Sequence, residues 1–200
     1  NDVHFAVMTS GYNSVTNGFL LESLKMVLRF IDKDEIQMIH YPDFFEEGYK
    51  HKYDKDIYHY LDNVARNNQY EMDRGFCHRL LRCSVTIWQL KNLDELKAKY
   101  QEVIEVLENS YPGEPNTSDL QQLKGMIREF EEELVWAYNG VQVNHVHHLH
   151  LGFYQDKGIT KGVNVERDVM PIVRQFREIQ PDIISVTLDP EGSGPDTHYK

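Results

Sequence analysis

The chain has 200 residues, with 32 Asp and Glu against 21 Lys and Arg, for a formal net charge of -11. That balance opposes broad attraction to phosphate backbones or anionic lipid surfaces, so neither nucleic-acid binding nor membrane-surface binding is expected. Cys77 and Cys83 are its two cysteines, too few for a disulfide framework or a four-thiolate zinc site, which fits a reducing, cytoplasmic setting. No apolar run reaches the roughly 20 residues of a membrane span. A chain of this length can bury roughly 70% of its unfolded surface, enough for one domain with a substantial core.

In chain order, Val3, Phe5 and Val7 alternate with His4 and Ala6 and lead into Thr9-Ser10-Gly11, the pattern of a strand ending in a loop. Phe19, Leu20, Leu24, Val27, Leu28 and Ile31 recur at helical spacing, which predicts a helix over 17–32 with Asn17 as its cap. Residues 40–56 are polar, aromatic and aperiodic, as in an irregular surface segment. Helical spacing returns at Ile57, Leu61 and Val64, across 77–90, and at Leu96, Tyr100, Val103 and Leu107. Asn92 with Glu95 reads as a capping pair for the last of these helices, and Tyr111-Pro112-Gly113 as its stop. Ser118 and Gln121 form a second capping-box pattern, ahead of a stripe running from Leu120 to Ala137 that Asn139-Gly140 ends.

The alternation over 147–151 predicts a second strand. A helix over 169–179 follows, and Pro171 makes it either begin late or bend. The nearly continuous apolar run 182–188 reads as a strand buried on both faces. Strand, helices, strand, helix, strand predicts an α/β fold with a Rossmann-like, mostly parallel sheet, whose ligands gather at the strand tips. Those tips are 9–13, 150–154 and 189–198. Four histidines crowd 145–150: alternation puts His145 and His147 on one strand face and His148 and His150 on the other. No carboxylate or cysteine in that stretch completes a ligand set, so half-buried hydrogen bonding is the expectation for them.

Four of these features stand in one register: Thr9-Ser10-Gly11, Arg128 with Glu131, Leu151-Gly152-Phe153-Tyr154, and Thr197-His198, with 177–184 aligned before the last. In that order they resemble the LmbE-like (PIG-L-like) N-acetylglucosamine deacetylase family, in the variant found in proteins resembling glucosamine-6-phosphate deaminase. The resemblance implies a single LmbE-like domain over 1–200, as part of a longer polypeptide, with an enlarged helical insertion at about 40–114. That insertion is also a candidate surface for homo-oligomer assembly.

The resemblance implies a metal-dependent hydrolase that removes the acetyl group from an N-acetylated amino sugar or its phosphate. Zinc is the implied cofactor, held by His198 together with a His-Pro-Asp-Asp loop that this chain does not contain. Thr9, Ser10, Gly11, Arg128, Glu131, His150 and Tyr154 are the implied sugar-binding residues, and Asp196 the implied catalytic carboxylate. One departure lies inside the chain: the family commonly places a second His three residues before the metal-binding one, and that position is Pro195 here. Proline has no side-chain proton to give, so the alternative is a non-catalytic amino-sugar-binding or assembly domain that has lost the metal site.

Overall fold

The computed structural model describes residues 2–41, 43–48, 54–111, 113–151 and 164–186. The chain divides into two compact units, one made of Asn1–Phe5 with Gly11–His147, the other of Ala6–Ser10 with His148–Lys200. In order, the elements are β1 (Phe5–Val7), α1 (Asn17–Asp32), α2 (Phe44–Glu47), α3 (Asp54–Ala65), α4 (Gln69–Trp88), α5 (Leu93–Asn109), α6 (Ser118–Tyr138), β2 (Val146–His148) and α7 (Met170–Ile179). Short 3-10 turns at Tyr12–Ser14, Gln37–His40 and Val143–His145 join them.

Local chemistry explains most boundaries. The cap of α1 is Thr16, one residue earlier than expected: its hydroxyl accepts from Phe19 N at 3.1 Å, while Asn17 begins the helix. Asn92 caps α5 by accepting from Glu95 N at 2.9 Å, and the Glu95 carboxylate turns back to Lys91 N at 2.9 Å. The Ser118–Gln121 box does not form. Thr117 holds the cap position of α6, and the Gln121 amide donates to the Asn116 carbonyl. Pro171 falls in the first turn of α7, and a π turn over Val165–Val169 leads into it, with Met170 N donating to the Val165 carbonyl.

The larger unit is built on helix packing. The stripes of α1 (Leu20, Leu24, Val27), α4 (Leu80, Leu81), α5 (Leu96, Tyr100, Val103) and α6 (Leu120, Leu123, Ile127) meet in one apolar cluster. The turn residues Ile36, Met38 and Ile39, with Phe44 of α2, close it. A smaller cluster joins Ile57 of α3, Phe130 of α6 and Val143.

This architecture corrects the expected α/β fold. The Rossmann-like, mostly parallel sheet with a helical insertion does not form: about 69% of the described residues are helical, and their sheet is two short parallel strands, β1 and β2. The reason is where the apolar area lies. The stretch 40–114, expected to be an insertion on a sheet, supplies α4 and α5 and much of the main cluster itself. The strand expected over 147–151 is regular only at Val146–His148. The strand expected over 182–188 is absent where it is described: Ile183, Ile184 and Val186 are exposed, at 85%, 53% and 65%, with no neighbouring strand among the described residues. An apolar run by itself does not create the sheet edge it would need; Thr187 and Leu188 lie outside the described residues.

Candidate functional site

In the larger unit, the loop after β1 turns at Gly11, whose φ of 63° and ψ of 10° lie in the left-handed region. Ser14 closes the turn from both its groups, N–H and hydroxyl donating to the Gly11 carbonyl at 3.0 and 2.8 Å. This brings Gly11 against α6: a Cβ at this position would lie 3.3 Å from Arg128 Cγ and 3.4 Å from Arg128 Nε. Arg128 in turn pairs with Glu131 one turn along, and its other guanidinium nitrogen lies 4.0 Å from Glu132. The side chains of Arg128, Glu131 and Glu132 are 34%, 41% and 33% exposed, so the group is open to a ligand and contributes little to stability.

Gly11→Ala is expected to lower the unfolding free energy by about 1–2 kcal/mol, because a Cβ is disfavoured in the left-handed region and this one must also push Arg128 aside. Gly11→Asn should cost less, since asparagine tolerates that conformation. Denaturant midpoints of the two variants check the order; equal losses would remove the backbone argument.

In the smaller unit, the strand tips lie side by side. Leu149 N donates to the Val7 carbonyl at 2.8 Å and Leu151 N to the Met8 carbonyl at 2.9 Å, which sets residues 7 and 8 beside 149–151. His150 sits at the end of this pairing with a positive φ of 46°. Thr9 is exposed, whereas the Ser10 hydroxyl oxygen is shielded from solvent with no hydrogen-bond partner among the described residues. Tyr154, Asp196 and His198 lie outside the described residues, as does the whole tip 189–198.

Sequence reasoning missed buried polar contacts among α3, α4, α5 and α6. Arg79 donates to Glu133 at 2.9 Å, with the two side chains 2% and 0% exposed, and the guanidinium lies 5.7 Å from the centre of the Phe130 ring. Arg82 donates to Asp56 at 2.9 Å, yet burial outweighs that cation and holds the Asp56 carboxyl above its ordinary range. Ser84 and Tyr100 share a hydrogen bond of 2.8 Å, and Glu129 is buried. A signal for these contacts was present in the spacing. Glu133 falls three residues after Phe130 on the apolar stripe of α6, and Arg79 stands between Cys77 and Leu80 on that of α4. Burial pushes both thiols, Cys77 and Cys83, up to about 12, which leaves them protonated and poor nucleophiles near neutrality.

The chain is 33% identical over 101 residues to a protein of Bacteroides thetaiotaomicron described as glucosamine-6-phosphate deaminase-like. The match takes in 49% of this chain but 15% of that protein. No family model matches the chain, and no solved structure does. The implied zinc does not fit the residues present. Of its expected ligands the chain carries His198 alone, outside the described residues, and one imidazole does not make the three- or four-ligand set zinc takes.

Proposed function

We propose that this chain is a recognition segment of a longer protein that acts on amino sugars, and that the intact protein removes the acetyl group from an N-acetylated amino sugar or its phosphate. The observation carrying this reading is the 33% identity, across 49% of the chain, with the glucosamine-6-phosphate deaminase-like protein. Arg128 is the cation for a sugar phosphate: it is partly exposed on a regular helix, and its guanidinium forms a fork that suits phosphate oxygens. Glu131 holds that fork in place until the ligand arrives. The Ser10 hydroxyl, shielded and without a partner among the described residues, offers a hydrogen bond to a sugar hydroxyl, with Thr9 beside it. Gly11 keeps the loop backbone free of a side chain, and His150 and Tyr154 follow the second strand as sugar contacts. Asp196 accepts a proton from the attacking water.

The test is acetate release from N-acetylglucosamine 6-phosphate and from N-acetylglucosamine by the intact protein. Turnover is expected, with Arg128→Ala raising KM for the phosphorylated sugar more than for the unphosphorylated one. Absence of both turnover and calorimetric sugar binding rejects the reading. Pro195 favours a second reading, a domain that binds amino sugars without hydrolysing them, because the position has no side-chain proton to give; calorimetric binding with no acetate release would select it.

A further inference from the structure

We propose that His4, His145 and His147 form a binding site for a late first-row divalent metal ion, Zn2+ or Cu2+. The site lies wholly in the larger unit and does not depend on the amino-sugar reading. Donation from Leu149 N to the Val7 carbonyl fixes how β1 and β2 pair, and counting back along the pair sets His4 opposite His145. His147 lies within β2, and His145 ends the 3-10 turn just before it. The rings obey this geometry: His4 stacks on His145 with centroids 4.0 Å apart and planes at 19°, and on His147 with centroids 5.2 Å apart and planes at 15°.

The decisive contact is between ring nitrogens. His4 Nδ1 lies 2.9 Å from His147 Nε2, so two imidazoles aim lone-pair positions at one point and share a single proton there. Around a tetrahedral ion with metal–nitrogen bonds of about 2.0–2.1 Å the same two nitrogens stand roughly 3.3 Å apart. An opening of a few tenths of an ångström therefore lets the ion replace the shared proton. The balance is simple: the imidazole that donated carries its proton on the other ring nitrogen, and both facing lone pairs go to the metal. His145, stacked on His4, supplies a third nitrogen after its ring turns. Water completes the set. An all-imidazole site of this kind suits zinc, copper and nickel rather than magnesium or calcium, and the chain's net charge of -11 favours any cation. All three rings are partly buried, so an ion can reach them from solvent.

The probe is the metal ion alone, added to the purified full chain. In histidine-selective NMR, Zn2+ should shift the ring signals of His4, His145 and His147 together and saturate near one equivalent. This measurement needs no variant and therefore does not depend on one folding. With Cu2+, paramagnetic resonance should show imidazole nitrogens on the ion. His4→Asn combined with His147→Asn should weaken binding at least about tenfold, and His40→Asn, at an exposed histidine elsewhere, should leave it unchanged. Ring signals of these three that stay still at excess Zn2+, or undiminished affinity in the double variant, would overturn the inference. Acetate release is a separate readout, so the failure of one reading is distinguishable from that of the other.

Discussion

Glu133→Ala is expected to lower the unfolding free energy by about 3–5 kcal/mol, the largest loss for any single change considered. Glu133 and Arg79 are 0% and 1% exposed, and their 2.9 Å contact joins α4 to α6. Truncating the acid leaves the guanidinium in a place water does not reach, with the Glu133 carboxylate gone from beside it. The penalty is the desolvation of a charge, much more than the value of one hydrogen bond. Replacing both residues by leucine removes charge and countercharge together, so the double variant should lose clearly less than the sum of the two single changes. A chemical-denaturation cycle over Arg79→Leu, Glu133→Leu and the pair measures this coupling, with Glu133→Ala alongside. A loss below about 1 kcal/mol for Glu133→Ala would put the pair in the class of exposed surface bridges and contradict its burial.

Acid is expected to destabilise the protein through His78. Burial, reinforced by the cations of Arg74 and Arg82 and by His59, brings this imidazole down from 6.5 to about 4. The unfolded chain therefore binds a proton at this position between about pH 6.5 and 4 while the folded chain does not, and stability rises with pH across that window. His78 contributes fully above pH 6.5, and its contribution is lost as the pH falls toward 4. The full linkage is about 3 kcal/mol, and because the side chain is partly exposed about 2–3 kcal/mol is the expected loss. Asp56 acts in the opposite direction near the bottom of the window: its raised carboxyl takes up a proton more readily folded than unfolded. Unfolding midpoints at pH 7, 6, 5 and 4.5 should therefore fall more steeply for the native chain than for His78→Phe. Parallel curves would show that His78 does not drive the acid limb.

The sequence was most legible where a helix announces itself locally. The stripes of α1, α5 and α6 and the Asn92–Glu95 cap are written in three- and four-residue spacings, which depend on a residue's near neighbours alone. The expected strand over 182–188 failed for the converse reason. Its apolar run is a local fact, but a strand also needs a partner edge, and Ile183, Ile184 and Val186 have none among the described residues. The same applies to the candidate site. The motif residues Gly11 and Arg128 are 117 positions apart, and no spacing rule says that a turn at one will lie against the side chain of the other.

By itself the sequence determined an acidic chain with two cysteines, the helical stripes, the loop Thr9-Ser10-Gly11, and a group of histidines at 145–150. Only the tertiary structure decided that helices, not a sheet, carry the core. It also decided that Arg79 meets Glu133 out of water, and that His4 joins His145 and His147 from the far end of the chain. Periodicity is set by bonds along the backbone, whereas the contacts between distant segments are set by which apolar faces cover one another. The second outcome depends on every face at once.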